Sequence, residues 1–214
     1  IVSIGFIDLY WYGAMYAISF LIIDYMMKAN YFHLNIHNLS STQIDKILLV
    51  SLVSLLLGGR LGYVIFYNFD YYLQFPIKIL FIWEGGMSFH GALLGVIIAI
   101  FSLGKSIKLN FLQLTDFIVL YVPIGLFFGR IGNFINAELY GTPTNSSWGV
   151  IFPRLDSIPR HPSMLYEAFF EGVVLFVILL FLSRKHSDRQ GFLTSIFLIF
   201  YSIFRFMIEF VRVP

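Results

Sequence analysis

About six windows of nearly continuous apolar residues, each long enough for a helix to cross the hydrocarbon core of a bilayer, recur along the chain. They cover about 9–27, 44–67, 86–104, 115–136, 163–182 and 192–211, with ends good to roughly four residues. Hydrocarbon offers no hydrogen-bond partner to a bare peptide group, so such windows must close their backbone bonds within the segment, as helices do. A transmembrane barrel would alternate polar and apolar residues, and no alternation is visible. The composition agrees: 58% hydrophobic residues against 12% charged ones, with a mean hydropathy of +0.82, lies far from a water-soluble domain. The expectation is an all-α, polytopic transmembrane helical bundle forming one domain over residues 1–214. The first window lacks a basic leader and a small-residue cleavage motif, so it reads as a retained span. The chain begins at Ile1, which points to a trimmed or processed product.

The connectors set the orientation. Those after windows one, three and five carry Lys28, Lys46, Lys105, Lys108, Arg184, Lys185 and Arg189, whereas those after two, four and six carry Lys78, Arg154, Arg160 and Arg212. Cytoplasmic loops hold the excess of lysine and arginine, so the amino terminus and the even-numbered connectors are expected outside. Among these is the aromatic stretch 68–84, which reads as an interfacial arm on the membrane surface. The other is the longest connector, 137–162, which holds most of the prolines. Ser41, Thr42 and Asp45 are candidate caps for the second helix.

The lysines all read as loop residues, while Arg60, Arg130 and Arg205 fall in or at the end of a window. A charge at mid-bilayer costs roughly 2.5–3.5 kcal/mol on insertion scales. A guanidinium is weakly hydrated and presents a planar fork that matches phosphate oxygens, so the choice of arginine suggests an anionic ligand. The plainer alternative is that each arginine snorkels or pairs internally, as Arg205 could with Glu209 one turn away.

Four constellations surround these arginines. In "GRIGNFINAELYG", Arg130 and Asn133 share a helix face, Gly125, Gly129 and Gly132 allow close approach by a helix or a headgroup, and Glu138 and Gly141 follow where the helix ends; the alternative is that the amides only satisfy the helix terminus. "YSIFRFMIEFVR" lines up Arg205, Glu209 and Arg212 as one charged stripe, or as a salt bridge between helices. "WEGGMSFHGALLG" puts His90 among glycines that clear room for a substrate, and histidine titrates near neutrality; a buried structural histidine is the alternative. "RHPSMLYEAFFEG" reads as architecture, with Ser163 capping the fifth helix and Tyr166 and Glu167 in its first turn. Asp8, Tyr12 and Tyr16 are spaced by four and read as an aromatic belt or a headgroup contact, and "GGRLGY" around Arg60 is open between packing and ligand binding.

Several functions are excluded. The net charge of +2, with basic residues lying singly, does not suit nucleic acid. The absence of cysteine removes disulfides, thiolate metal sites and a thiol nucleophile of the chain's own. Walker loops, nucleophile elbows and histidine-rich metal spacings are missing, so the chemistry is expected to be metal-free, with no cofactor.

Taken in order, "WYGAMY", "WEGGMSFHGALLG", "GRIGNFINAELYG", "RHPSMLYE" and "FRFMIEFVR" resemble the prolipoprotein diacylglyceryl transferase family of bacterial inner membranes, over nearly the whole chain. The resemblance implies transfer of the diacylglyceryl group of phosphatidylglycerol to the thiol of the lipobox cysteine in a prolipoprotein signal peptide, with a thioether formed and glycerol phosphate released. It implies Arg130 at the phospholipid site with Arg205 nearby, His90 as proton acceptor, and Tyr12, Asn133, Glu138 and Glu209 lining the site; Gly141, Arg60 and Arg212 complete the candidate substrate-binding set. Two departures stand out. The family usually has a seventh span after the last arginine block, whereas this sequence stops at "VRVP", and Met164 stands where glutamine is usual in "HPSxLYE". The expected site faces the outer leaflet of the inner membrane, among membrane lipids. The alternatives are a transporter of anionic lipid using the same arginines, and a structural subunit without activity.

Overall fold

The computed structural model describes residues 2–4, 7–9, 11–29, 39–186 and 189–213. They fall into two compact units, His37–Leu114 and the combination of Ile1–Ile36 with Thr115–Pro214.

The unit His37–Leu114 is built on α2 (Ser41–Phe66) and α4 (Phe89–Ile107). The cap of α2 is Ser40, one residue before the expected candidates. The amide of Gln43 donates to the Ser40 hydroxyl, and the Ser40 amide donates to the Gln43 side chain at 2.9 Å, a reciprocal box that none of Ser41, Thr42 or Asp45 could close. The two helices run antiparallel at backbone contact: a Cβ built on Gly58 would lie 2.5 Å from the Gly91 carbonyl oxygen, and one on Gly95 would lie 2.6 Å from that of Ser54. Small residues let helices in a membrane approach until dispersion between backbones holds them. Of the glycines around His90, Gly91 therefore serves helix packing, while Gly85 and Gly86 take positive φ in the turn that precedes α4. Gly58→Ala is expected to force the pair apart at a cost of about 1–3 kcal/mol, visible as a lower unfolding temperature. Gly125→Ala, whose Cβ would meet nothing within 4 Å, should be neutral.

Between these helices the aromatic arm folds as α3 (Phe69–Gln74) and two 3₁₀ turns, Pro76–Leu80 and Ile82–Glu84. Phe69, Phe75 and Trp83 stay exposed, as side chains meeting a membrane interface do.

The other unit holds a short hairpin of β1 (Val2–Ile4) and β2 (Ile7–Leu9), then α1 (Trp11–Lys28), which packs on α6 (Val122–Asn136). α5 (Phe111–Val119), whose first residues belong to the other unit, meets α6 at a bend of 41°. Pro123, in the first turn of α6, supplies no amide to carry the α5 ladder through. Then come the strand pair β3 (Val150–Ile151) and β4 (Pro159–Arg160), the continuous helical run α7 (Ser163–Glu167), π turn (Ala168–Val174) and α8 (Leu175–Lys185), and finally α9 (Phe192–Glu209). Asp116 of α5 is buried and accepts hydrogen bonds from the amides of Gly191 and Thr194, both at 2.7 Å. A carboxylate there meets the positive end of the α9 dipole and satisfies two of its orphan donors.

The chain is a membrane protein. Among the described residues four helices are long and apolar enough to span a bilayer, Ser41–Phe66, Phe89–Ile107, Ser163–Lys185 and Phe192–Glu209, and the bent pair α5 and α6 makes a fifth. The first expected span is present as the 18-residue α1 but is not in that group, because Trp11, Tyr16, Asp24 and Lys28 dilute its apolar run. Four lysines expected in loops lie in helices: Lys28, Lys105 and Lys185 in the last turns of α1, α4 and α8, and Lys46 in the second turn of α2. There a long stem can still bring the ammonium to water.

Candidate active site

The helical run from Ser163 carries two carboxylates four residues apart, Glu167 and Glu171, both with fully buried side chains. Two such charges in hydrocarbon demand cations, and α6 and α9 supply them. Nε of Arg130 lies 3.1 Å from Oε2 of Glu167, and its Nη2 lies 3.7 Å from Oε2 of Glu171. On α9, Nη1 of Arg205 donates to Oε1 of Glu167 at 2.5 Å while its Nη2 sits 2.7 Å from Glu209. Nη1 of Arg212 lies 3.4 Å from the same Glu167 oxygen. Three guanidiniums from two separate stretches of chain thus converge on one carboxylate.

The cluster is not sealed. The side chain of Arg130 is 18% exposed and that of Arg205 is 30% exposed. An anion arriving from that side would meet donors already oriented by Glu167, which is the preorganisation that makes charge stabilisation effective in a dry site. Beside the charges runs an apolar groove of about 380 Å³, lined by Tyr166, Phe170, Phe204, Met207, Ile208 and Val211 together with Trp148 and His161. Its polar edge is a hydrogen-bonded chain, with Trp148 Nε1 donating to the Tyr166 hydroxyl at 2.9 Å and His161 Nδ1 at 3.1 Å from the same oxygen.

The expected residues divide clearly. Arg130, Arg205, Glu209 and Arg212 come together in the cluster. Asn133 is buried and, with Asn136, donates to the Glu138 carboxylate at 3.2 and 3.3 Å, just past Ala137, where α6 ends in a left-handed turn. Gly141 lies where two backbones cross: its amide donates to the His161 carbonyl at 2.8 Å, it bridges to Arg212, and a Cβ there would meet the Val211 and His161 carbonyls. It holds the connector against the end of α9. Tyr12 belongs to α1, but its side chain lies outside the described residues, as does that of Asp8.

One member of the candidate substrate-binding set is corrected. Arg60 is buried in the unit His37–Leu114, and all five of its N–H groups go to backbone carbonyls: Nε to Ile79, Nη1 to Gly85 and Gly86, Nη2 to Lys78 and Phe81. It has no donor left for a ligand, and it pins the arm. His90, in the same unit, is exposed in the first turn of α4 with its ring edge-on to Phe89, so the buried histidine alternative does not apply. Ser163 does not cap its helix either; its hydroxyl donates to the Leu139 carbonyl at 2.8 Å. In the connector Asp156 and Arg160 pair at 2.6 Å, and the Arg160 hydrogen bond holds the Asp156 carboxyl below its usual range.

Glu167 and Glu171 are the residues that sequence reasoning missed as site members. Their signal was present in "YEAFFEG", since a buried carboxylate in a span is as anomalous as an arginine. Reading Glu167 as part of a helix start concealed it.

Comparison with known proteins shows the family. The family model for prolipoprotein diacylglyceryl transferase matches residues 1–214. The chain is 44% identical over its whole length to the phosphatidylglycerol–prolipoprotein diacylglyceryl transferase of Methylococcus capsulatus, covering 81% of that protein. It is 47% identical to the Rickettsia typhi enzyme of the same name, covering 83% of it, and 49% identical to that of Pseudoalteromonas atlantica, covering 75%. With its buried arginine and glutamate cluster open on one side, and a match that runs from end to end, this chain belongs to the prolipoprotein diacylglyceryl transferase family.

Proposed function

We propose that the chain transfers the diacylglyceryl group of phosphatidylglycerol to a prolipoprotein, with Arg130, Arg205 and Arg212 holding the phosphate. The observation that carries this reading is the convergence of three guanidiniums on Glu167 beside an apolar groove, because the donor is itself an anionic phosphate joined to acyl chains. The acceptor is the lipobox cysteine thiol. Its sulfur, as thiolate, attacks the glyceryl carbon next to the phosphate ester; the carbon–sulfur bond forms, the carbon–oxygen bond breaks, and glycerol phosphate leaves with the electron pair. A thiol of pKa about 8.5 is mostly protonated at neutral pH, so a base helps it ionise; His90 or a carboxylate near the arginines fills that role. The guanidiniums stabilise charge growing on the departing phosphate oxygen.

The loop charges support an inner-membrane orientation with the amino terminus outside and the site toward the outer leaflet. Residues 1–214 act as one membrane-embedded transferase domain. Purified chain incubated with phosphatidylglycerol and a lipobox peptide should yield peptide heavier by one diacylglyceryl group, read by mass spectrometry. Flux of anionic lipid across vesicles with no modified peptide would favour the transporter instead, and neither result would favour a structural subunit.

A further inference from the structure

Glu167 and Glu171 are equally buried but unequally held. Glu167 meets Arg130, Arg205 and Arg212 at 3.1, 2.5 and 3.4 Å. Glu171 has one ion-pair contact, the 3.7 Å approach of Arg130 Nη2, and neither of its oxygens has a hydrogen-bond donor among the described residues. It sits in the π turn Ala168–Val174, next to Gly172, where a Cβ would come 2.7 Å from that of Phe127 on α6. The extra residue of a π turn re-aims a side chain, and such turns recur at functional sites. Here the turn lies against α6 and brings the carboxylate to Arg130. The charged and titratable groups facing Glu171 are Arg130 on α6, Glu167 on its own helical run, and Arg205 and Tyr201 on α9.

We propose that Glu171 is the displaceable counter-ion of the headgroup site: when an anionic phosphodiester engages Arg130, Glu171 gives up the guanidinium and takes one proton from water, so that lipid binding and proton uptake are coupled. This rests on the reading of Arg130 as a phosphate ligand. The choice between the two carboxylates follows from their contacts. Releasing Glu167 would break three ion pairs, whereas releasing Glu171 breaks one long one. A carboxylate left buried without a partner neutralises rather than remain charged. The phosphodiester does not titrate in the accessible range, so the proton is taken up by the protein. The same exchange gives the site a resting state in which its cation is occupied until an anionic lipid arrives. Glu171 is a positioning residue on this account, because it acts through Arg130.

The experiment measures binding of short-chain phosphatidylglycerol to the purified chain in detergent between pH 6 and 9, with dioctanoylglycerol, which has no phosphate, as the neutral control. Affinity for the phosphatidylglycerol should fall by up to about tenfold per pH unit where free Glu171 is ionised, and that for the neutral lipid should stay flat. Glu171→Gln should bind phosphatidylglycerol with no such slope and about tenfold more tightly than the parent near pH 8, since no proton has to be taken up. Glu171→Asp, which keeps a titratable group, should keep the slope. Calorimetry of the unmodified chain in two buffers of different ionisation heat reads the proton uptake directly and does not depend on any variant folding. A flat profile for the unmodified chain, no proton uptake, an undiminished slope in E171Q, or weaker binding by E171Q at every pH would each overturn the proposal. If Arg130→Gln binds phosphatidylglycerol as well as the parent does, the headgroup reading fails and this inference falls with it.

Discussion

Arg130→Lys lowers transfer from phosphatidylglycerol to a lipobox peptide by about 10²–10³-fold, the range expected when one preorganised donor to a developing anion is lost. Lysine keeps the charge but not the geometry. Arg130 presents Nε to Glu167 and Nη2 to Glu171, and its side chain stays 18% exposed. A single ammonium cannot keep the fixed directions toward Glu167 and toward a phosphate that the planar fork provides, because its donors radiate from one atom. Removing the charge altogether, as in Arg130→Gln, would also leave buried carboxylates uncompensated and add a stability loss to the catalytic one. The lysine variant separates the two, and comparing its unfolding temperature with its turnover checks the assignment. Parent-like turnover in a folded Arg130→Lys protein would show that no fork is needed there.

Glu167→Ala is expected to be the most destabilising single change in the cluster, at about 3–5 kcal/mol, the usual cost of breaking a buried ion pair by deleting one partner. Its carboxylate is fully buried and faces Arg130, Arg205 and Arg212. Without it, three guanidiniums from α6 and the end of α9 repel one another in a medium that screens poorly. Thermal unfolding in detergent measures the loss, and Glu209→Ala is the comparison. Glu209 is more than half exposed, so its pairing with Arg205 is worth little and its loss should shift the unfolding temperature far less. Equal shifts for the two variants would mean that Glu167 is not the hub of the cluster.

These two residues mark how far sequence reasoning reached. Arg130, Arg205, Glu209 and Arg212 were legible because arginine inside an apolar run is anomalous and because helical spacing puts the last three on one stripe. Glu167 and Glu171 carry the same anomaly, but "HPSMLYE" also satisfies the pattern of a helix start, and the milder reading prevailed. Arg60 met the criterion used for Arg130 and proved to be a clamp on the arm, since a guanidinium is as well satisfied by five carbonyls as by a phosphate. His90 drew attention through its glycines, yet Gly91 is needed where α2 and α4 touch. The cap supplied to α9 by Asp116, 75 residues from Gly191 along the chain, has no local signature.

Sequence by itself determined that this chain lives in a membrane, that it crosses as helices, and which family it resembles. Those properties depend on the length of apolar runs and on side-chain types in order, and hydrocarbon leaves the backbone no other way to meet its hydrogen-bonding needs. Only the tertiary structure decided which arginine is fully occupied by the fold and which stays partly exposed, and which glutamate is held by three cations and which by one. Those outcomes turn on which groups distant in the chain come within reach of each charge, and a charge buried at low dielectric responds steeply to such distances.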